Sequence, residues 1–284
     1  MAHNRIGIRE FVELTVRTGD LNPVTSNSNN TAMIGSQIHR KLQAAHRKSD
    51  YEKEVYLKTT VTVNDEDYQL EGRADGVWTE NKTLTVEEIK TSARSWEECS
   101  QNTKDRYWAQ ARIYGHLLCQ QRHQDHAVIT LVYVQTSTDT VSRFTETKSA
   151  AELADDFTDL LDEFTAWLKL RSDIIKQRNA SIATLKFPFP QYRTGQHEFA
   201  AAVYKAIYSR ARLFVQAPTG TGKTISTLFP TIKAMGSGLI QRAFYLTAKQ
   251  STRRVAEQAM ALMADAGLRA KSITLTAKDT ITLS

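Results

Sequence analysis

One group of side chains in the sequence has the types and spacing of a site for a divalent cation. Asp75 precedes Glu88 and Lys90, which are two positions apart. On a strand, side chains two apart share a face, and a turn as short as residues 80–82 would keep the strand of Asp75 paired with the next. Two converging carboxylates favour Mg²⁺ or Mn²⁺. The pattern predicts a divalent-metal site, with a solvated strand end and a Glu–Lys ion pair as the alternative.

A second group lies in a single loop, Ala-Pro-Thr-Gly-Thr-Gly-Lys-Thr at 217–224, between a predicted strand and a predicted helix. Glycines allow backbone N–H groups to face phosphate oxygens, the lysine supplies a cation, and the last threonine can bind Mg²⁺. Ala217 replaces the usual first glycine. The loop predicts an ATP site formed by Thr219, Gly220, Thr221, Gly222, Lys223 and Thr224.

The elements around the first group alternate between two hydrophobic periods. Helical spacing is found at about 5–19, 32–48 and 101–121, and in a long helix over 149–178. Between the second and third of these helices, β-branched and aromatic runs separated by turns predict an antiparallel meander, and 127–135 predicts a buried strand. Phe187-Pro188-Phe189-Pro190 cannot continue a helix. We therefore expect a mixed α+β domain over 1–186.

The remaining residues, 187–284, alternate between helices and strands. Helices are predicted over 196–208, 223–235 and 252–266, and strands over 213–216, 243–246 and 272–275. Such alternation predicts a parallel α/β sheet around the glycine-rich loop.

Composition narrows the class of protein. The 284 residues are 41% hydrophobic and 24% charged, which is ordinary for a globular chain. No apolar run approaches the roughly 20 residues of a membrane-spanning helix, and charges near the N-terminus interrupt any secretory core. Only Cys99 and Cys119 are present. We expect a cytoplasmic protein without a membrane partner, and the net charge of +6 permits nucleic-acid binding.

The order of four short motifs resembles the PD-(D/E)XK nuclease superfamily in its RecB-like branch. Gly-x-x-x-His ends at His39, Gly-Arg-Ala-Asp at Asp75, Glu-x-Lys at Lys90 and Gln-x-x-x-Tyr at Tyr114. The resemblance covers about residues 5–178 and implies a restriction-endonuclease-like fold. It implies three catalytic residues, Asp75, Glu88 and Lys90, with Lys90 orienting or deprotonating the attacking water. It also implies metal ligands at His39, Asp75, Glu88 and the Ile89 carbonyl, and a DNA-facing stripe of Arg106, Gln110 and Tyr114. The two cysteines do not supply an iron–sulphur set.

The glycine-rich loop and its surroundings resemble the XPD/DinG-like helicases of superfamily 2. The residues that carry this resemblance are the segments 190–196 and 243–247. It implies a partial RecA-like P-loop α/β domain, adenine contacts from Arg193 and Gln196, and a DNA contact from Thr247. No Asp-Glu-x-His is present, and the residues after 190 are fewer than one helicase lobe needs. We expect ATP binding without efficient hydrolysis, in the front part of a longer protein.

Together these patterns predict a hydrolase. The expected function is metal-dependent cleavage of single-stranded or end-containing DNA, coupled to the front part of an ATP-dependent helicase in DNA repair. Two alternatives stay open at this point. One is a non-catalytic DNA-binding domain beside a helicase motor. The other is a P-loop ATPase that does not act on nucleic acid.

Overall fold

A computed structural model describes residues 4–18, 28–47, 50–218 and 220–275. The chain divides into two compact units, Met1–Lys169 and Leu170–Ser284, which are described separately below. The predicted domain boundary followed residue 186, whereas this division falls inside the long helix α4, Ala150–Thr184. The helix continues beyond the expected end at 178 because residues 179–184 include no proline or glycine that would end it.

The first unit is built on a mixed sheet. Its strands are β1 Asn4–Gly7, β2 Glu52–Val63, β3 Glu66–Glu80, β4 Thr83–Ser92, β5 His126–Gln135 and β6 Thr140–Ser149. β2, β3 and β4 form the predicted antiparallel meander. β5 runs parallel to β4, and β6 runs antiparallel to β5. The sequence patterns identified neither β1 nor β6.

Three helices of this unit determine what covers the sheet: α1 Ile8–Thr15, α2 Ser28–Ala45 and α3 Gln101–Arg122. The main core packs the sheet against α1, α3 and the first part of α4, where Phe11 and Phe164 are fully buried in edge-to-face contact. A smaller cluster places Ile38 and Leu42 of α2 against Ile89 and its neighbours on β5. The end of β4 therefore has α3 on one face and α2 on the other.

The second unit contains helices α5 Gln196–Tyr208, α6 Lys223–Gly236 and α7 Gln250–Asp265, close to their predicted bounds. Its core joins α6 and α7 to the end of α4 through Ile182, Phe229 and Met263. The three predicted strands are not formed in the part of this unit that the structure describes, so this prediction was wrong. Parallel strands need both faces covered, yet Phe214, Leu246 and Ile273 are each more than 80% exposed. Their side chains point away from the helical core, which forms without them.

None of the helices in the described ranges is long and apolar enough to span a bilayer.

Candidate active site

The Gly-Arg-Ala-Asp motif lies where one edge of β3 changes its partner. β1 pairs with β3 from Tyr68 to Glu71, and β4 pairs with it from Gly76 onward. Residues 72–75 have no strand pairing on that edge within the described chain. On the other edge, β2 pairs on both sides of Asp75 but not opposite it, because Glu54 has a left-handed backbone (φ 54°). The sheet is therefore open around Asp75.

The Asp75 side chain contacts two elements, α2 and β4, that are distant in the sequence. Its Oδ2 accepts the backbone N–H of Ile89 on β4 at 2.7 Å. Its Oδ1 lies 3.1 Å from Nδ1 of His39 on α2. Hydrogen bonding to Asp75 is the main reason that the pKa of His39 is raised. The carboxylate thus joins the strand of Glu88 and Lys90 to the helix of His39.

Glu88 is the most unusual ionisable group of the site. The residue is 3% exposed, and burial raises the pKa of its carboxyl to about 7. Its Oε1 is 2.7 Å from Lys90 Nζ, whereas its Oε2 is buried without a hydrogen-bond partner among the described residues. A buried carboxylate oxygen without a donor is costly, and a bound cation would satisfy it.

Two residues of the predicted DNA-facing stripe on α3, Gln110 and Tyr114, lie behind Lys90 in a chain of hydrogen bonds. Lys90 Nζ donates to Gln110 Oε1 at 2.8 Å, and Gln110 Nε2 donates to the Tyr114 hydroxyl at 3.3 Å. Both α3 residues are buried, and burial raises the pKa of Tyr114. Gly72 is required here, because a Cβ at this position would lie 2.7 Å from the Tyr114 oxygen. As described, Gln110 and Tyr114 support Lys90; their contact with DNA stays a prediction.

Arg106, the third residue of that stripe, is engaged by α1. Its guanidinium donates to the Glu13 carboxylate at 2.5 Å and also to the Asn102 carbonyl. Arg106 therefore ties α3 to α1, and a phosphate would have to compete with Glu13 for it.

The donor types of this site, an imidazole and carboxylate oxygens, are types that a divalent cation accepts. His39 Nδ1 and Asp75 Oδ1 are separated by about the distance between neighbouring ligands of an octahedral Mg²⁺ or Mn²⁺, roughly 3 Å. The buried Glu88 Oε2 offers a further oxygen. Among the described residues, no group of three or more His, Cys, Asp or Glu side chains is arranged to hold a metal ion. The fourth predicted ligand is the carbonyl of Ile89. This residue lies between Glu88 and Lys90 on β4, and its side chain is buried.

Sequence reasoning missed three residues beside the site. Gln43 of α2 bonds the Asp75 carbonyl, and Tyr51 donates to Glu87 at 3.0 Å on the α2 side of the sheet. Burial raises the pKa of Glu87. The Tyr51 ring occupies the space that a Cβ at Gly76 would need. Gln43 could have been found from its spacing, since it follows His39 by one helical turn; Tyr51 gave no signal.

The glycine-rich loop of the second unit is formed around its own lysine. Lys223 Nζ donates to the carbonyls of Ala217 and Pro218 at 2.8 and 2.6 Å. Gly220 and Gly222 adopt left-handed backbones, with φ of 81° and 73°, which glycine tolerates without strain. Thr221 and Thr224 lie within the described loop, whereas Thr219 lies outside the described residues.

The predicted adenine-reading residues contact this loop. Arg193 donates from its guanidinium to the Gly220 carbonyl, and its backbone N–H donates to Gln196 Oε1 at 2.9 Å. The Gln196 amide is buried against Gly222, where a Cβ would collide with it. Thr247 lies elsewhere, with its hydroxyl 3.4 Å from the Lys249 carbonyl.

Comparisons with known proteins bear on the family to which the chain belongs. Residues 27–194 match the family model of the PD-(D/E)XK nuclease superfamily. A stretch of 47 residues is 40% identical to a probable ATP-dependent helicase of Methanocaldococcus jannaschii, but it spans 16% of this chain and 7% of that protein. The crystal structure of SSO0001 is similar over 57% of this chain and 77% of its own, with 22% identity and a TM-score of 0.38. Because the family match covers more than half of the chain and includes all four motifs, the protein belongs to the PD-(D/E)XK nuclease superfamily.

Proposed function

We propose that the protein is a divalent-metal-dependent DNA nuclease, joined to the front part of an ATP-dependent helicase. The observation that supports cleavage best is the buried Glu88, whose Oε2 has no donor in the part of the chain that the structure describes, while Lys90 lies against its other oxygen. A fold retained only to bind DNA would not need a buried acid and a lysine arranged in this way. The family match supports a nuclease, and metal dependence follows from the donor chemistry.

Each residue has a distinct role in the proposed reaction. His39, Asp75, Glu88 and the Ile89 carbonyl would hold Mg²⁺ or Mn²⁺, and the cation would supply Lewis-acid chemistry, that is, activation of water and neutralisation of phosphate charge. Lys90, held by Gln110 at 2.8 Å, orients the attacking water or accepts its proton. The Tyr114 hydroxyl accepts a hydrogen bond from Gln110 and so holds the Gln110 amide in place. The carboxylates act as ligands and not as nucleophiles.

The second unit supplies an ATP site in this proposal. Lys223 would exchange the carbonyls of its own loop for phosphate oxygens, and Thr224 would reach the accompanying Mg²⁺. Arg193 and Gln196 are close enough to this loop to contact a base. The short helicase match supports the coupling, and DNA repair or end processing is the setting in which a nuclease and a helicase act together.

Cleavage of end-labelled DNA by the full chain tests the nuclease directly. We expect labelled single-stranded DNA to be cut with Mg²⁺ or Mn²⁺ and to remain intact with EDTA. Asp75→Asn should abolish cutting, because it weakens both the metal site and the Ile89 contact. Asp139→Asn is the matched control, since Asp139 is an exposed turn residue whose left-handed backbone suits asparagine. DNA binding without metal-dependent cutting would leave the non-catalytic alternative, and no DNA binding at low salt would leave the ATPase alternative.

A further inference from the structure

Gln43 satisfies a backbone group that the open sheet leaves without a strand partner. Its Nε2 donates to the Asp75 carbonyl at 2.8 Å, at the point where Glu54 and Asp75 face each other without pairing. A buried carbonyl without a donor is unfavourable, so this bond stabilises β3 at the residue that must hold the metal. Gln43 is 8% exposed, which shields the bond from water.

The same amide also fixes the neighbouring strand. Gln43 Nε2 donates to Glu54 Oε1 at 3.0 Å. Glu54 has a left-handed backbone within a strand, a conformation that a residue with a side chain rarely adopts. Its bond to Gln43 therefore helps to hold β2 in the conformation that interrupts pairing opposite Asp75.

Gln43 and His39 lie on one face of α2, four residues apart. His39 contacts the Asp75 side chain, and Gln43 contacts the Asp75 backbone. Two contacts from one rigid helix to one residue define both the distance and the direction between the imidazole and the carboxylate. Without Gln43, α2 would contact Asp75 through the imidazole alone.

We infer that Gln43 is a positioning residue for the metal site: it holds His39 and Asp75 at the spacing that a divalent cation needs. This inference rests on the proposed metal-dependent function. Gln43 makes both of its contacts, to the Asp75 carbonyl and to Glu54, through Nε2, an N–H donor with no lone pair for a cation, so we assign it a positioning role and not a ligand role. Outer contacts of this kind contribute about 10- to 100-fold to metal affinity in proteins.

Calorimetric titration of the 284-residue chain with Mn²⁺ tests the inference without relying on activity. Gln43→Met keeps the length of the side chain and removes the donor, and we expect about tenfold weaker Mn²⁺ binding. Cleavage at saturating Mn²⁺ should return close to the wild-type rate, so that the metal requirement changes more than kcat. Gln124→Met is the matched control, because Gln124 also donates to a backbone carbonyl, that of Arg122, far from the site.

Three outcomes separate the possibilities. Unchanged Mn²⁺ affinity in Gln43→Met, with wild-type protein binding Mn²⁺, would overturn the role of Gln43 and leave the nuclease proposal intact. Wild-type protein that neither binds Mn²⁺ nor cuts DNA would overturn the metal site itself. Should Gln43→Met fail to fold, Gln43→Asn keeps the amide but is one methylene too short, and it must also weaken Mn²⁺ binding if the inference holds.

Discussion

The two units hold their chemically important side chains by different means. In Met1–Lys169, the residues of the candidate site come from α2, β3, β4 and α3, and most of them are buried. In Leu170–Ser284, Lys223 is exposed and bonds to carbonyls of its own loop. A site assembled from several elements depends on sheet register, whereas a site made by one loop can keep its local geometry even where no strand precedes it. The motifs of the first unit therefore predict a sheet arrangement, whereas the glycine-rich loop of the second unit predicts only its own local conformation.

Loss of the lysine that acts in the first unit should have the largest effect. Lys90→Ala removes the group that orients or deprotonates water, and we expect cleavage to slow by about 10²- to 10⁴-fold. Gel assays with Mn²⁺ measure this rate, and binding of a fluorescent ATP analogue should not change. Lys58→Ala, an exposed lysine of β2, is the control. Cleavage that persists in Lys90→Ala would remove the proposed mechanism.

Truncating one apolar residue in each unit tests whether the first unit has a buried strand at that position and the second does not. Leu84 on β4 is fully buried, and Leu84→Ala should lower the free energy of unfolding by about 2–5 kcal/mol. Phe214, in a predicted strand that did not form, is 91% exposed, so Phe214→Ala should change it by no more than about 0.5 kcal/mol. Urea unfolding followed by circular dichroism measures both. A similar large loss in Phe214→Ala would mean that this segment is buried in a sheet.

Glu88 of the first unit should make the stability of the protein depend on pH in the acidic range. The folded pKa of Glu88 is raised from 4.5 to about 7, so the folded protein keeps a proton that the unfolded chain releases. The contribution of Glu88 to the stability of the metal-free protein is therefore fully present below about pH 4.5 and is lost between about pH 4.5 and 7, by at most about 3 kcal/mol.

Urea titrations in EDTA at several pH values measure this slope through tryptophan fluorescence, since all four tryptophans precede residue 170. Glu88→Gln should flatten it. The raised pKa of His39 gives a slope of the same sign that persists in the variant. Equal slopes in both proteins would argue against a protonated Glu88.

The lysine of the second unit should affect ATP alone. Lys223→Ala removes a charged contact worth about 1.5–3 kcal/mol, so we expect at least about tenfold weaker binding of ATP. Fluorescence titration with an ATP analogue measures this change, and Lys205→Ala on the exposed side of α5 is the control. Equal affinity in the two variants would mean that the loop does not bind phosphate.

The sequence predicted the elements around the site and the pairing of the meander, but not the local contacts at Asp75. The meander and α3 were predicted because their hydrophobic periods are regular. Asp75, Glu88 and Lys90 were selected because their order is distinctive, and their catalytic roles stay a prediction. The interruption of pairing at Asp75 was not predictable, since it depends on the left-handed backbone of Glu54 and on where β1 ends. The burial of Gln110 and Tyr114 also depends on long-range packing. In the second unit, short apolar runs predicted three strands, but the described residues of these runs do not pair with one another as strands.

The Tyr51 ring lies against Gly76 and limits which side chains can replace glycine at position 76, next to Asp75. Stacking against His46 and bonding to Glu87 hold the phenol ring in place, so it cannot easily swing aside for a substituent. In a library with all amino acids at position 76, selection for folding would retain glycine unless Tyr51 were exchanged for a smaller residue at the same time. The two positions should therefore vary as a pair.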